Sequence, residues 1–276
     1  MQRHLVVLSA FLLLALAGSP GRAADAGDAA AKVAPVFAGL EGAFVLHDVG
    51  KKADIVHYNP ELAAQRLSPY STFKIWNTLI GLDTGAISGL DFRLEWDPEK
   101  YPPEDFWPES WKRGHDLASA FQNSVVWYYR EVASRVGAGQ MGWMLRRIGY
   151  GNADISGGID RFWLNSTLQI SPDEQVELLT RLVRGEMPFT QRDLDILRTI
   201  MTAGGKPGVY VLRGKTGAGP APDGEGAIGW FVGYLEKHDG TYTFATLLRG
   251  PDYPSIADKR IPATQDALKR LGLIEE

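Results

Sequence analysis

The sequence predicts a mixed α/β fold in which an antiparallel sheet is flanked by helices and joined to a helical subdomain. Three observations favour this class. A hairpin pattern lies around residue 50, helical periodicity fills the middle of the chain, and β-rich runs return near its end. Strands at both ends of a helical insertion are typical of a sheet that helices cover.

The predicted elements follow in chain order. Alternation around Gly50 in GAFVLHDVGKKADIVHYN predicts strands over 43–47 and 54–58. Apolar residues at helical spacing predict helices over 72–82, 117–136, 141–148, 172–183 and 191–201. Glycine-containing turns separate three later strands, in VYVLRGKTG, AIGWFVGYLE and YTFATLLRG. A last amphipathic helix is predicted in PATQDALKRLGL.

The chain is predicted to be one domain after a removable leader. Arg3 precedes an apolar stretch from Leu5 to Gly18, and small residues follow, which predicts a signal peptide over residues 1–24. The stretch is shorter than the roughly 20 residues of a spanning helix, so we expect an exported, periplasmic protein without a stable membrane anchor. No repeat or linker divides residues 25–276. The sheet part is expected at about 25–66 and 205–276, and the helical part at about 67–204.

Composition narrows the choice of ligand. The 276 residues carry a net charge of -4, from 29 basic and 33 acidic side chains, and have no cysteine. Without a basic patch, nucleic acid is not an expected partner, and a small molecule is favoured. The five histidines lack metal-ligand spacing, so no metal is expected. The sequence leaves open whether the protein forms a homodimer.

One short segment, LSPYSTFKIWN, combines a nucleophile with a base. Serine needs a neighbouring base to attack a carbonyl, and a helical side chain three residues later lies on the same face. Lys74 has this spacing from Ser71, and apolar neighbours would lower its pKa enough for an amine to accept a proton. The alternative is an ordinary helix start, with Ser71 or Thr72 as N-cap and Lys74 solvated.

Downstream segments favour the catalytic interpretation. QNSVVWYYR contains Ser124 and Val126, IGYGN follows near residue 150, DRFWLNS contains Trp163, and RGKTGAG contains Lys215. Together with STFK and GLDTG they resemble the class D serine β-lactamases, from about the first hairpin to the last helix. The resemblance implies a serine β-lactamase or penicillin-binding-protein-like fold, and it implies hydrolysis of β-lactams through an acyl-enzyme.

The resemblance also implies a role for each matching residue. Ser71 would be acylated, and its N–H with that of Ala218 would form the oxyanion hole. Ser124 would pass a proton to the leaving lactam nitrogen, and Lys215 would keep that region electropositive. In a second group, Thr216 and the strand backbone at Gly217 and Ala218 would hold the substrate carboxylate and amide, and Arg260 would contact the carboxylate. Arg260 could instead be a solvated residue at a helix start.

Lys74 matches the lysine that carries carbon dioxide as a carbamate in this family, and no other cofactor is expected. The resemblance implies that the carbamate is the general base, that the indole N–H of Trp163 supports it, and that Val126 covers it. Ordinary core packing is the alternative for Trp163 and Val126.

Two residues depart from the family pattern. Tyr70 stands where alanine is usual and Trp76 where proline is usual, so the pocket beside Ser71 is expected to differ in shape. The same motifs are also compatible with two other functions. One is a penicillin-binding sensor domain that is acylated without rapid release, and the other is a cell-wall peptidase or transpeptidase.

Overall fold

Six antiparallel strands form the central sheet in the computed structural model, which describes residues 20–275. The strands are β1 (Glu41–Asp48), β2 (Ala53–Tyr58), β3 (Thr202–Lys206), β4 (Tyr210–Pro220), β5 (Ala227–Lys237) and β6 (Gly240–Gly250). Their order across the sheet is β2-β1-β6-β5-β4-β3. The first hairpin therefore pairs with the last strand, which closes the two ends of the sequence into one sheet.

Helices precede, separate and follow the strands. The α-helices are α1 (Pro20–Val33), α2 (Pro60–Ala63), α3 (Lys74–Asp83), α4 (Leu117–Gln122), α5 (Val126–Val136), α6 (Ala138–Ile148), α7 (Pro172–Val183), α8 (Gln191–Ile200), α9 (Pro254–Ala257) and α10 (Arg260–Arg270). Short 3-10 helices cover Ala34–Phe37, Tyr70–Phe73 and Glu109–Trp111. Among the described residues, no helix is both long enough and apolar enough to cross a bilayer.

The sheet separates two apolar clusters. One lies between the sheet and the helices of the middle segment, and the other lies between the opposite face, α1 and α10. Two buried threonine pairs join β6 to both layers, Thr180 to Thr243 from α7 and Thr264 to Thr246 from α10. Helix α3 runs through the first cluster with every residue from Lys74 to Leu82 buried. The buried polar side chains of this stretch are Lys74, Asn77 and Thr78, and their i, i+3, i+4 spacing places them on one face of the helix.

The structure confirms the predicted fold class. Helices α1, α2 and α9 were not predicted, and two further differences have a clear local cause. The single helix predicted over 117–136 is broken into α4 and α5, because Ser124 adopts a left-handed backbone with φ +57°. Strand β3 was missed, since TAGGK is an exposed edge strand without the β-branched or aromatic alternation that marks a strand. The predicted signal peptide lies mainly outside the described residues, which begin at Pro20 within it.

Candidate active site

Ser71 lies at the entrance to the buried helix α3. It is the second residue of the 3-10 helix Tyr70–Phe73, which continues directly into α3 at Lys74. The first N–H groups of a helix have no acceptor within it, so the Ser71 N–H is free of an intrahelical bond. Lys74 Nζ donates a 2.7 Å hydrogen bond to Ser71 Oγ. The predicted nucleophile and base are therefore in direct contact.

The surroundings of Lys74 favour its neutral form. Its side chain is fully buried, and burial, followed by the charge of Lys215, keeps the pKa of Lys74 well below its usual value. A neutral amine has a lone pair, so it can accept a proton from the hydroxyl that it contacts. The solvated lysine of the alternative interpretation does not occur.

Strand β4 lies against the nucleophile turn. A Cβ at position 217 would lie 2.7 Å from the Pro69 carbonyl oxygen and 3.1 Å from the Ser71 nitrogen. Only glycine allows this approach, which explains the glycine at position 217. The neighbouring Ala218 pairs with Gly229 of β5. The backbone of β4 and the free N–H of Ser71 thus border the same space.

Lys215 and Arg260 form the cationic side of the site. Lys215 is 5% exposed, and burial, with a smaller effect of the Arg260 charge, lowers the pKa of Lys215 to about 7. Its Nζ donates to the Thr216 carbonyl at 3.1 Å and lies 5.7 Å from the centre of the Phe121 ring. Arg260, the first residue of α10, donates from Nη1 to the Gly217 carbonyl at 3.3 Å.

Arg260 is held in place by residues that sequence reasoning missed. Its Nε donates to the Ala257 carbonyl at 2.9 Å, and its Nη2 lies 3.4 Å from the Tyr253 hydroxyl. A Cβ at Gly229 would lie 3.0 Å from Arg260 Cδ, so the glycine makes room for the arginine stem. Tyr253 lies on the loop before α9, where no periodic pattern marks it.

Ser124 and Val126 lie at the break between α4 and α5. Ser124 has φ +57°, a conformation that is uncommon for a residue other than glycine and that is often found at functional sites. The turn is fixed by backbone bonds from Ser124 to Phe121 and from Val125 to Ala120. Val126 is the first residue of α5 and is 9% exposed. Both residues line the cavity that also borders Ser71.

Trp163 has a buried donor that lacks an acceptor. Its side chain is fully buried, and its Nε1 has no hydrogen-bond partner among the described residues. The indole packs against Phe73, next to Lys74 in sequence, with ring centres 5.5 Å apart. Its carbonyl accepts a 3.1 Å hydrogen bond from the buried Ser68 hydroxyl, which ties this loop to the turn before Ser71. Such an unsatisfied N–H is costly unless a further acceptor is bound beside it.

A cavity of about 1100 Å³ joins these groups. The predicted residues on its wall are Ser71, Ser124, Val126, Thr216, Gly217, Ala218 and Arg260. Lys74, Lys215 and Trp163 are buried, and Lys74 reaches the cavity through its contact with Ser71. Aromatic residues that motif reasoning did not assign to the site also line the cavity: Phe106, Trp111 and Tyr253.

The comparisons with known proteins agree with this geometry. The family of penicillin binding protein transpeptidase domains matches residues 23–269. The probable β-lactamase YbxI of Bacillus subtilis is 41% identical over 238 residues, which is 86% of this chain and 84% of that protein. The crystal structure of the class D β-lactamase YbxI from Nostoc superposes with a TM-score of 0.80 and 38% identity, covering 89% of this chain and 99% of that one. The chain belongs to the class D β-lactamases.

Membership confirms the family and the penicillin-binding-protein-like fold predicted from the motifs, and it makes this class D β-lactamase a hydrolase. The enzyme is also 35% identical to the methicillin resistance mecR1 protein of Staphylococcus aureus over 243 residues. That match covers 88% of this chain and 40% of the longer protein.

Proposed function

We propose that this protein opens the β-lactam ring of penicillin-type antibiotics through an acyl-enzyme on Ser71. The observation that carries the proposal is the 2.7 Å contact between Ser71 Oγ, at the wall of a large cavity, and the buried Lys74, whose pKa is lowered by burial. Such a pair provides a nucleophile with a base that can take its proton.

Acylation would begin when the Ser71 proton passes to the base at Lys74 and Ser71 Oγ attacks the lactam carbonyl carbon. The negative charge on the carbonyl oxygen would be stabilised by the N–H groups of Ser71 and Ala218. When the carbon–nitrogen bond breaks, the leaving nitrogen would receive a proton through the Ser124 hydroxyl. The substrate carboxylate would lie against Thr216 and Arg260, because a guanidinium suits a carboxylate.

The residues around Lys74 fit a carbamate. Burial favours the neutral amine that reaction with carbon dioxide requires, and Trp163 offers a buried N–H that has no acceptor among the described residues. Bound carbon dioxide would supply an anionic oxygen base at this position in place of an amine nitrogen. Trp163 would then donate to that oxygen, while Val126 would shield it from bulk water. A base that remains beside Ser71 would also activate the water that releases the acyl group.

We also propose that the enzyme is exported to the periplasm as one domain after removal of residues 1–24. The leader pattern at Arg3 and Leu5 to Gly18 supports export. Sequencing the N-terminus of the protein purified from the periplasmic fraction would test both points. A full-length chain that remains in the cytoplasm would contradict them.

Hydrolysis of a chromogenic cephalosporin, with and without added bicarbonate, tests the proposed activity. We expect many turnovers per enzyme molecule and faster turnover with bicarbonate. A penicillin-binding sensor would instead react once and keep the adduct, and the similarity to the mecR1 protein makes this the main rival. Intact-protein mass after one hour with penicillin separates the two, since a hydrolase returns to its unmodified mass. A cell-wall peptidase would release the D-alanine of a peptide ending in D-Ala-D-Ala.

A further inference from the structure

Tyr70, the residue directly before the nucleophile, has an unusual backbone. Its φ is +47°, which places a large aromatic residue in the left-handed region that favours glycine. Such a conformation persists only where surrounding contacts hold it. Tyr70 is 5% exposed and also borders the cavity beside Ser71.

The contacts that hold Tyr70 come from the end of strand β4. The Tyr70 hydroxyl donates a 2.6 Å hydrogen bond to the Pro220 carbonyl. Burial raises the pKa of this hydroxyl, so it remains a donor at neutral pH. The ring lies over Gly219, where a Cβ would be 2.2 Å from Tyr70 Cε1. Because φ of Gly219 lies outside the left-handed region, the ring of Tyr70, and not the backbone, excludes a side chain there.

These contacts connect the two halves of the oxyanion hole. Ser71 is the next residue after Tyr70, and Ala218 lies between Gly217, which touches the nucleophile turn, and Gly219, which touches the Tyr70 ring. We propose, on the basis of the proposed function, that Tyr70 is a positioning residue that sets the separation of the Ser71 and Ala218 N–H groups. It acts from outside the reacting atoms by fastening the end of β4 to the nucleophile turn.

The spacing of two donors matters because they must lie about 2.7–3.1 Å from an oxygen that carries charge only in the transition state. Loss of one whole donor typically lowers the rate about 100- to 1000-fold. Loss of the contacts between Tyr70 and the end of β4 would displace a donor without removing it. We therefore expect a smaller reduction in rate, about tenfold. The effect should fall on acylation and on binding of tetrahedral analogues, and less on initial substrate binding.

Tyr70→Phe tests this by removing only the hydroxyl. Tyr128→Phe is the matched control, because the Tyr128 hydroxyl is also bonded to a backbone carbonyl, that of Phe92 at 2.8 Å. For Tyr70→Phe we expect the acylation rate constant to fall about tenfold and the inhibition constant of a phenylboronic acid to rise by a similar factor. The control should keep wild-type values for both. Equal values for Tyr70→Phe and wild type would overturn the proposal.

A second comparison depends on the ring and not on the hydroxyl. Gly219→Ala should lower acylation and boronate affinity in the wild type, because the added methyl group displaces the Tyr70 ring. In a Tyr70→Ala background the same change should have little further effect. If the effects of Gly219→Ala and Tyr70→Ala are additive, the proposed role of Tyr70 is wrong. If the proposed function itself fails, the wild-type protein shows no turnover of β-lactams, and that result is distinct from an active wild type whose Tyr70 variants behave identically to it.

Discussion

Replacement of Trp163 by phenylalanine should weaken carbon dioxide binding at Lys74. The indole N–H is fully buried and has no acceptor in the described part of the chain, so its removal takes nothing from the hydrogen bonds of the free protein. With a carbamate present, the change removes a hydrogen bond to a charged group, which contributes about 1.5–3 kcal/mol. The corresponding loss of affinity is about 10- to 150-fold.

Loss of ring volume is a separate effect of this substitution. The Trp163 ring packs against Phe73 at 5.5 Å and Phe162 at 5.0 Å, so a smaller ring leaves a gap. We expect the free energy of unfolding to fall by about 1–2 kcal/mol whether or not bicarbonate is present. Trp76→Phe is the matched control, because Trp76 is equally buried and its Nε1 also lacks a partner among the described residues. It lies two positions from Lys74, which is off the lysine's face of the helix.

Two titrations with bicarbonate measure the effect. The first follows the turnover rate, and the second follows the carbamate signal by NMR with ¹³C-labelled bicarbonate. Trp163→Phe should require a higher bicarbonate concentration in both, with acylation retained and deacylation slowed. Trp76→Phe should lose stability but keep the wild-type midpoint. If Trp163→Phe also keeps the wild-type midpoint, Trp163 is a packing residue and the proposed hydrogen bond is wrong.

Three further predictions concern the nucleophile and the two lysines. Ser71→Ala should fold, hydrolyse no β-lactam and gain no penicillin mass; an adduct on this variant would place the nucleophile elsewhere. At mildly acid pH in degassed buffer, wild-type activity should decay during turnover and recover with bicarbonate, because protonation of a carbamate expels carbon dioxide. Full activity without carbon dioxide would refute the carbamate hypothesis. A loss of activity at acid pH that bicarbonate does not reverse would indicate that the base is an amine. Because the pKa of Lys215 is about 7, kcat/KM should fall as pH rises through that value and Lys215 loses its charge. The decrease in kcat should occur at a higher pH than the decrease in kcat/KM. In Lys215→Arg, neither kcat nor kcat/KM should decrease over this range. If that variant shows the same pH dependence as the wild type, the charge of Lys215 is not required.

Much of the fold follows from local sequence patterns, and the exceptions have physical causes. The hairpin and strands β4 to β6 alternate or form long apolar runs between glycines, so their prediction depends on nearby residues alone. The break at Ser124 has no such signal, since apolar spacing continues across it and no glycine or proline marks it. Strand β3 is formed by pairing with β4 and not by its own residues, so only the tertiary structure reveals it.

In the site, too, local sequence patterns predict some features, and others depend on tertiary contacts. Motifs predicted which side chains to consider, and the direct contact of Lys74 with Ser71 follows from their spacing on a helix. The contacts of Tyr70 with Gly219 and Pro220 join positions about 150 residues apart, and no local pattern carries that information. The unusual tyrosine could be noted from the sequence, but its partner could not.

The electrostatic coupling of Arg260 to Lys215, and of Lys215 to Lys74, explains why kcat and kcat/KM should differ in their dependence on pH. Burial is the largest cause of the lowered pKa of both Lys215 and Lys74, and a neighbouring charge adds to it, that of Arg260 at Lys215 and that of Lys215 at Lys74. A substrate carboxylate bound at Arg260 would offset the first of these repulsions, so Lys215 would hold its proton to a higher pH in the complex than in the free enzyme. A charged Lys215 would in turn keep Lys74 neutral. Binding of an anionic substrate would therefore place a proton near the leaving nitrogen and keep one off the base beside Ser71, which is the distribution that acylation requires.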